Sequence, residues 1–253
     1  MSTEKLKDIK NTDCVRERVF LDVVDSTNTD AKKRIMSGAQ YPLLVLSDSQ
    51  SAGRGRMGRS FYSPSRTGLY MSLAFEAQGG LSDTVGLTSA AAVAAVRAIR
   101  SVCGVETGIK WVNDIYLDGK KIAGILCESF FFEDKLFVIV GIGVNLATES
   151  FPEELADIAG SLNAESSLRR ELADVICNEF FSLLALDENS QFMTEYKKHS
   201  VVLGKDVNFI ENGVSYSGIA EDILDNGALV VLLDDGSRHT LASGEISLRL
   251  RTN

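Results

Sequence analysis

Histidine occurs twice in this chain of 253 residues (His199 and His239), tryptophan once, proline three times and cysteine four times. Cys14, Cys103, Cys127 and Cys177 stand far apart, and no two have CxxC spacing. A zinc site needs closely spaced Cys or His ligands, and a disulfide scaffold needs a dense cysteine pattern, so neither organises this fold. Buried reduced thiols are the expectation, in keeping with a cytoplasmic location. Positive charge is also short: 26 Lys+Arg face 35 Asp+Glu, a net charge of −9. Binding a phosphate backbone requires a cationic surface, so DNA is not an expected partner. The polar stretch 1–10 has no apolar centre and does not read as a secretory signal. The longest apolar stretch noted, Leu136 to Leu146, is too short for a bilayer and holds two glycines, so no membrane partner is expected.

What remains is an ordinary globular composition, 45% hydrophobic and 24% charged. At roughly 150 residues per domain it implies one large domain or two unequal ones. Residues 1–20 read as a loose lead-in strand. Asp25-Ser26-Thr27-Asn28 offers N-cap residues before a short helix, Ala31 to Met36. Tyr41 to Leu46 and Gly68 to Phe75 read as strands on either side of a Gly-, Ser- and Arg-rich loop. Ser82 or Asp83 caps a long Ala/Val-rich helix ending near Val102. Ile109 to Leu117, Lys121 to Phe132 and Leu136 to Asn145 read as strands, the first two joined by the hairpin signal Asp118-Gly119. Apolar residues at helical spacing from Leu168 to Leu184 predict a helix over 167–186, extended by 191–199. Beyond residue 200 five short strands alternate with Asn212-Gly213, Asn226-Gly227 and Asp235-Gly236, which predicts a small barrel of roughly 50 residues.

Two places carry chemistry. From Ser49 to Phe75 there is no Asp, Glu or Lys, but there are four arginines, Arg54, Arg56, Arg59 and Arg66. Glycines between them let backbone amides approach a ligand, and guanidinium groups match phosphate or carboxylate, so an anionic ligand is indicated. A solvated surface loop is the plainer alternative. The loop also fits GxGxxG and the P-loop glycine spacing, but both need a helix directly afterwards, and a strand follows here. The second place is a pair of polar breaks in apolar runs. Lys110-Trp111-Val112-Asn113-Asp114 interrupts one run, and Lys120-Lys121 opens the next. A lysine entering a buried strand must find an anion or reach water, and alternation lets only one of Lys120 and Lys121 face inward. Gly141-Ile142-Gly143-Val144-Asn145 is a strand with close-approach glycines ending in an amide.

These segments resemble the biotin–protein ligases. The matching residues are Ser26-Thr27-Asn28, Gln50, Gly53 to Arg59, Lys110 to Asp114, Lys121 to Leu126, Gly141 to Asn145 and Gly244 to Leu248. The resemblance implies an α+β catalytic domain related to class II aminoacyl-tRNA synthetases over 1–200. An SH3-like barrel over 201–253 would follow it. The implied reaction joins biotin to ATP as biotinyl-5′-AMP and then moves biotin to a lysine of a biotin carboxyl carrier domain. Biotin, ATP and Mg²⁺ are the implied substrates and cofactors, and a homodimer is compatible with the family. Residue by residue, Ser26, Thr27, Asn28, Gln50, Arg54, Gly55, Arg56, Lys121 and Gly124 would hold biotin. Arg56, Arg59, Phe61, Lys110, Trp111, Asn113 and Asn145 would serve the nucleotide, although Trp111 also reads as a packing residue. Lys121, Arg56 and Arg54 would be catalytic. Asp114 would bind Mg²⁺, steer the incoming lysine or simply cap a strand.

Met57, Val112 and Phe61 depart from the family pattern, where a further Arg, a Pro and a Trp are frequent. Twenty-five residues precede Ser26, too few for the helix-turn-helix domain of some relatives, so a monofunctional ligase is expected. A lipoate–protein ligase, which shares the fold, and a non-catalytic biotin sensor are the competing readings. The first lacks its Gly-Gly-x-Val-x-His-Asp pattern here. The second would not need Arg56, Arg59, Lys110 and Asn145.

Overall fold

The computed structural model describes residues 14–77, 84–185, 189–242, 244 and 246–248. Seven strands form one mixed sheet: β1 (Glu17–Val24), β2 (Leu43–Gln50), β3 (Gly68–Glu76), β4 (Gly108–Lys110), β5 (Asp114–Leu117), β6 (Lys120–Phe132) and β7 (Lys135–Asn145). Their order is β1-β2-β3-β7-β6-β5-β4, with β1 and β2 parallel and the other pairs antiparallel.

Alternation along the strands sorts side chains between two layers. On β2, Leu43 and Val45 pack with Ala31 and Ile35 of α1 (Thr27–Met36), and Leu44 and Leu46 face the other way. On β3, Ala74 belongs to the α1 layer, and Leu73 and Phe75 to the opposite one. On β7 the α1 layer takes Phe137 and Ile139, and the other face takes Val138, Val140, Ile142 and Val144. That second face carries the larger core, built with α2 (Thr84–Cys103), α3 (Arg169–Leu184) and α4 (Asn189–His199). Each fully buried Val, Leu or Ile there contributes about 1.5–3 kcal/mol.

Helix α2 corrects the expectation that Leu136 to Leu146 is the most membrane-like stretch. Its window Gly86–Cys103 has a mean hydropathy of 1.2 over 18 residues, enough to cross a bilayer by length and composition. Of that window 67% is buried inside the protein, against the sheet, α3 and α4. A helix apolar over most of its surface, with Arg97 and Arg100 near one end, fits such a position. The expected caps Ser82 and Asp83 lie outside the described residues. All four cysteines are free.

The apolar run Ile109 to Leu117 is two strands, not one. A turn over 111–113 folds β4 back on β5, with Lys110 opposite Asp114. The run is apolar because the turn itself is buried. Trp111 and Val112 are 3% and 4% exposed. The turn is pegged by Tyr196, whose hydroxyl donates to the Val112 carbonyl at 3.1 Å. The Asp118-Gly119 hairpin forms as expected, with both residues at positive φ (50° and 78°).

The remaining strands, β8 (Asp206–Glu211), β9 (Val214–Ile223), β10 (Leu229–Leu233), β11 (Arg238–Leu241) and β12 (Ile246–Leu248), make a separate antiparallel sheet in the order β11-β10-β9-β8-β12. The hairpin at Asn212-Gly213 again has two positive φ values, 50° and 79°. The inward residues Val207, Phe209, Ala220, Leu229 and Val231 join the larger core. Trp111 Nε1 donates to the Gly227 carbonyl at 2.9 Å, tying this sheet to the β4–β5 turn.

Three helices meet at Arg97 of α2. Its Nη1 donates to Glu179 Oε2 on α3 at 2.9 Å, and its Nε donates to Glu195 Oε1 on α4 at 2.9 Å. The guanidinium hydrogen bonds hold the Glu195 carboxyl below its ordinary value of 4.5. A carboxyl depressed in the folded state stabilises above its unfolded pKa, and that contribution is lost as pH falls through the folded value. Arg97→Met should therefore lower the urea midpoint near neutrality. It should also shrink the further drop between about pH 5 and about pH 3 relative to the unaltered protein. An equal acid-side drop in both proteins would show that the clamp carries none of it.

Candidate active site

The side chains that face α1 along β7 run Phe137, Ile139, Gly141, Gly143. The facing residues of β6 are Glu128, Leu126 and Gly124, paired with Ile139, Gly141 and Gly143. Where the side chains stop, a cleft of about 950 Å³ opens, its mouth included. Other parts of the chain occupy the space the missing side chains would fill. A Cβ on Gly141 would sit 2.2 Å from Asn28 Oδ1, and one on Gly143 would sit 2.4 Å from the Phe61 ring.

One end of the cleft is lined by uncharged hydrogen-bonding side chains, Ser26, Thr27, Asn28 and Gln50, with the Glu128 carboxylate behind them. Ser26 occupies the N-cap position of α1, but its side chain makes no capping bond. Thr27 donates its backbone N–H to Gln50 Oε1 at 2.9 Å, and Gln50 Nε2 donates to Ser63 Oγ at 2.9 Å. Asn28 Nδ2 donates to Glu128 Oε2 at 2.8 Å. Ser26, Thr27 and Asn28 are all buried, and two of their fixed partners, Gln50 and Glu128, come from β2 and β6.

The other end is cationic. The loop between β2 and β3 folds into a narrow finger: Gly55 N–H donates to Arg59 O at 2.7 Å, and Phe61 N–H to Gly53 O at 2.8 Å. Met57 at its tip has φ 54° and is 78% exposed. The finger carries Arg54, Arg56 and Arg59 to the cleft wall. Arg66 leaves the group and pairs with Asp48 at 3.3 Å. A strand, not a helix, follows the finger, so neither the dinucleotide nor the P-loop motif exists here. From the opposite side, Lys121 Nζ meets Asp114 Oδ1 at 2.7 Å, and the lysine lies 3.2 Å from where a Gly124 Cβ would be. Lys110 Nζ sits 5.1 Å from the Tyr116 ring centre. Lys120 is exposed, as alternation requires.

Protein groups already answer several of these charges. Arg54 forms a two-pronged pair with Glu128, at 2.7 and 3.3 Å. Arg56 Nη1 donates to Asn113 Oδ1 at 3.2 Å and to the Gly244 carbonyl at 3.4 Å, linking the finger to the second sheet's end of the chain. These groups are partly exposed, so each pair is worth little, about 0–1 kcal/mol, and yields readily to a better anion. Cys127 lies beside the site, but burial pushes its thiol up to about 12, so it is no nucleophile. Among the described residues no three His, Cys, Asp or Glu side chains group as a metal site. Asp114 in particular stands against a lysine.

Every residue that the sequence placed in the site lines this cleft except Asn145. Asn145 ends β7 opposite Gly68, is 4% exposed, and donates to Gly160 O at 2.9 Å while its Oδ1 has no partner. Trp111 lines the cleft and also packs, its indole N–H being spent on Gly227. Glu128 and Ser72 were missed. The signal for Glu128 was its parity with Gly124 and Leu126 on one strand.

The chain is similar to known proteins over both of its parts. Residues 20–145 match the biotin/lipoate A/B protein ligase family, and residues 202–249 the biotin protein ligase C-terminal domain. The bifunctional ligase/repressor BirA of Bacillus spizizenii is 35% identical over 91% of this chain and 73% of its own length. The biotin–[acetyl-CoA-carboxylase] ligase of Mycobacterium tuberculosis is 34% identical over 91% of this chain and 89% of its own. Among solved structures, the Aquifex aeolicus biotin protein ligase in complex with biotin and ATP superposes with a TM-score of 0.75, at 26% identity. It covers 92% of this chain and 99% of that one.

The base of the finger tolerates no side chain at Gly53. A Cβ there would meet the Phe61 carbonyl at 2.4 Å, Ser63 Oγ at 2.7 Å and Gln50 Nε2 at 3.0 Å. At Gly55 the nearest atom is 3.4 Å away. Gly53→Ala should cost about 1–3 kcal/mol in urea unfolding, and Gly55→Ala well under that. Equal effects would mean that the finger's base is not packed as described.

Proposed function

The chain belongs to the biotin–protein ligase family, and from that premise and the two-ended cleft we infer that it is an ATP-dependent enzyme that activates biotin and transfers it to a carrier lysine. The observation that carries this reading is one cleft with an uncharged hydrogen-bonding end and a cationic end. Biotin has the same polarity, an uncharged ureido ring at one end and a carboxylate at the other. A sensor would need a cation for that carboxylate but not the further groups Arg59, Lys110 and Asn113 on the cleft wall. In this reading Ser26, Thr27, Asn28 and Gln50 hold the ureido ring, and Gly124, Gly55 and Phe61 frame the tail.

In the first step a carboxylate oxygen of biotin bonds to the α-phosphorus of ATP, the bond to the bridging oxygen breaks, and pyrophosphate leaves. Two anions must meet, so cations have to gather first. We assign Lys121 to the carboxylate and α-phosphate, with Asp114 holding the ammonium in place until they arrive. Arg54 and Arg56 exchange Glu128 and Asn113 for the reacting anions, and Arg59, Lys110 and Asn113 serve the nucleotide. Asn145 supports that end from behind the wall through Gly160. Mg²⁺ enters with the ATP phosphates as part of the substrate, because a single carboxylate tied to lysine is not a resident metal site. In the second step the uncharged amine of a carrier lysine attacks the acyl carbon, AMP leaves, and the amine loses its proton. The finger covers the mixed anhydride against water in between.

We further place the boundary between catalytic unit and C-terminal unit near residue 200. The acceptor is a carrier domain in the cytoplasm, and a homodimer is compatible with the family. DNA and membranes are not assigned, on the net charge of −9 and the burial of α2.

The test is the intact mass of a biotin carrier domain after incubation with the protein, Mg·ATP and either biotin or lipoate. One biotin added, only with ATP and never from lipoate, is the expected result. Tight biotin binding without transfer would favour a sensor instead. Lys121→Ala should reduce adenylate formation on the order of 10²–10³-fold while the protein still folds. A normal rate of adenylate formation would remove Lys121 from the chemistry.

A further inference from the structure

Ser72 of β3 is fully buried under the uncharged end of the cleft. Its hydroxyl stands 2.7 Å from Thr27 Oγ1 and 2.6 Å from Asn28 Oδ1. One proton cannot serve both contacts at once. Asn28 decides which it serves. Asn28 Nδ2 donates to Glu128 Oε2 at 2.8 Å and to the Leu126 carbonyl at 3.3 Å, so only acceptors lie on that side. Turning the amide over would set Oδ1 against a carboxylate and a carbonyl. Oδ1 therefore faces Ser72 and can only accept, which commits the Ser72 proton to it. The 2.7 Å contact is then closed by the proton of Thr27, because two oxygens that close repel without a hydrogen between them. Gln50 Oε1, which already receives the Thr27 backbone N–H, is a second acceptor within reach of that proton at 3.2 Å, but the Ser72 contact is the shorter and the one that cannot close without it.

We propose that Ser72 is a positioning residue for ligand selection: with Glu128 it fixes the direction Thr27 to Ser72 to Asn28, and so leaves Thr27 Oγ1 only lone pairs to offer the cleft. The cleft then accepts a ring N–H at this point and rejects a ring oxygen, whose lone pairs would face those of Thr27. This rests on the reading that a cyclic urea occupies the uncharged end. Glu128 acts at a distance, by denying Asn28 the flipped orientation that would reverse the chain. Ser72 touches no ligand, and its effect lies in which way a neighbour's proton points.

The experiment compares biotin with its two cyclic carbamate analogues, in which one or the other ring N–H is replaced by oxygen, by calorimetry and by adenylate kinetics. The unaltered protein should prefer biotin to one of the analogues by about 10-fold or more, the penalty for an unmet acceptor. In Ser72→Ala the Thr27 proton is released from Ser72 and can turn between Gln50 Oε1, 3.2 Å away, and a ring oxygen in the cleft. The preference should fall to within about 3-fold, through KM and with kcat little changed. If the alanine variant does not fold, Ser72→Gly, which also removes the hydroxyl, should show the same loss. A folded variant with the original preference overturns the proposal, as does an unaltered protein that binds biotin without preferring it to either analogue. An unaltered protein that binds no biotin overturns the functional reading instead.

Discussion

Along β7 the layer facing α1 reads Phe137, Ile139, Gly141, Gly143, and that change from ring and branched chain to bare backbone determines where a ligand can lie. A central strand cannot leave such a space empty without losing packing. Asn28 and Phe61 come in over the two glycines, one from the start of α1 and one from the base of the arginine finger. Everything else in the site is arranged around those two side chains. The α1 N-terminus supplies Ser26 and Thr27 because Asn28 must reach the sheet. The finger supplies its arginines because Phe61 must lie down beside Gly143.

In a protein of net charge −9, this cleft concentrates cations without leaving them bare. Glu128 answers Arg54, Asp114 answers Lys121, and Asn113 takes up Arg56. Such partners keep a cationic site from repelling itself before its anions arrive. Being partly exposed, they yield it at little energetic cost. The Lys121–Asp114 contact, at 2.7 Å, is a charge pair and not a well-aligned hydrogen bond. A charged site of this kind differs from a structural ion-pair cluster such as Arg97 with Glu179 and Glu195, where several hydrogen bonds hold one guanidinium.

Much of this was legible in the chain alone. The reversed charge of residues 49–75, the lysine at the mouth of an apolar strand and the spacing of Gly141 and Gly143 all depend on local alternation and composition, which physical chemistry reads directly. The turns at Asp118-Gly119 and Asn212-Gly213 belong to the same class, because positive φ at two successive positions selects those residues. The small second sheet was readable from the same turn pairs. Parity allowed only one of Lys120 and Lys121 to face inward, and the family resemblance picked Lys121.

Other features were decided only by the packed fold. The apolar run at 109–117 reads as one strand until Trp111 and Val112 are seen to be buried at a turn, pinned by Gly227 and Tyr196 from far along the chain. Helix α2 is apolar over most of its surface because it lies between a sheet and two helices, a fact about its neighbours. Ser72 is one more serine in an apolar strand until Thr27 and Asn28 are found against it. Local pattern specifies which face a residue takes, because alternation and helical period act over a few bonds. What that face meets is set by contacts made across the whole chain, and in this protein those contacts fix which groups hold a proton, a charge or a partner.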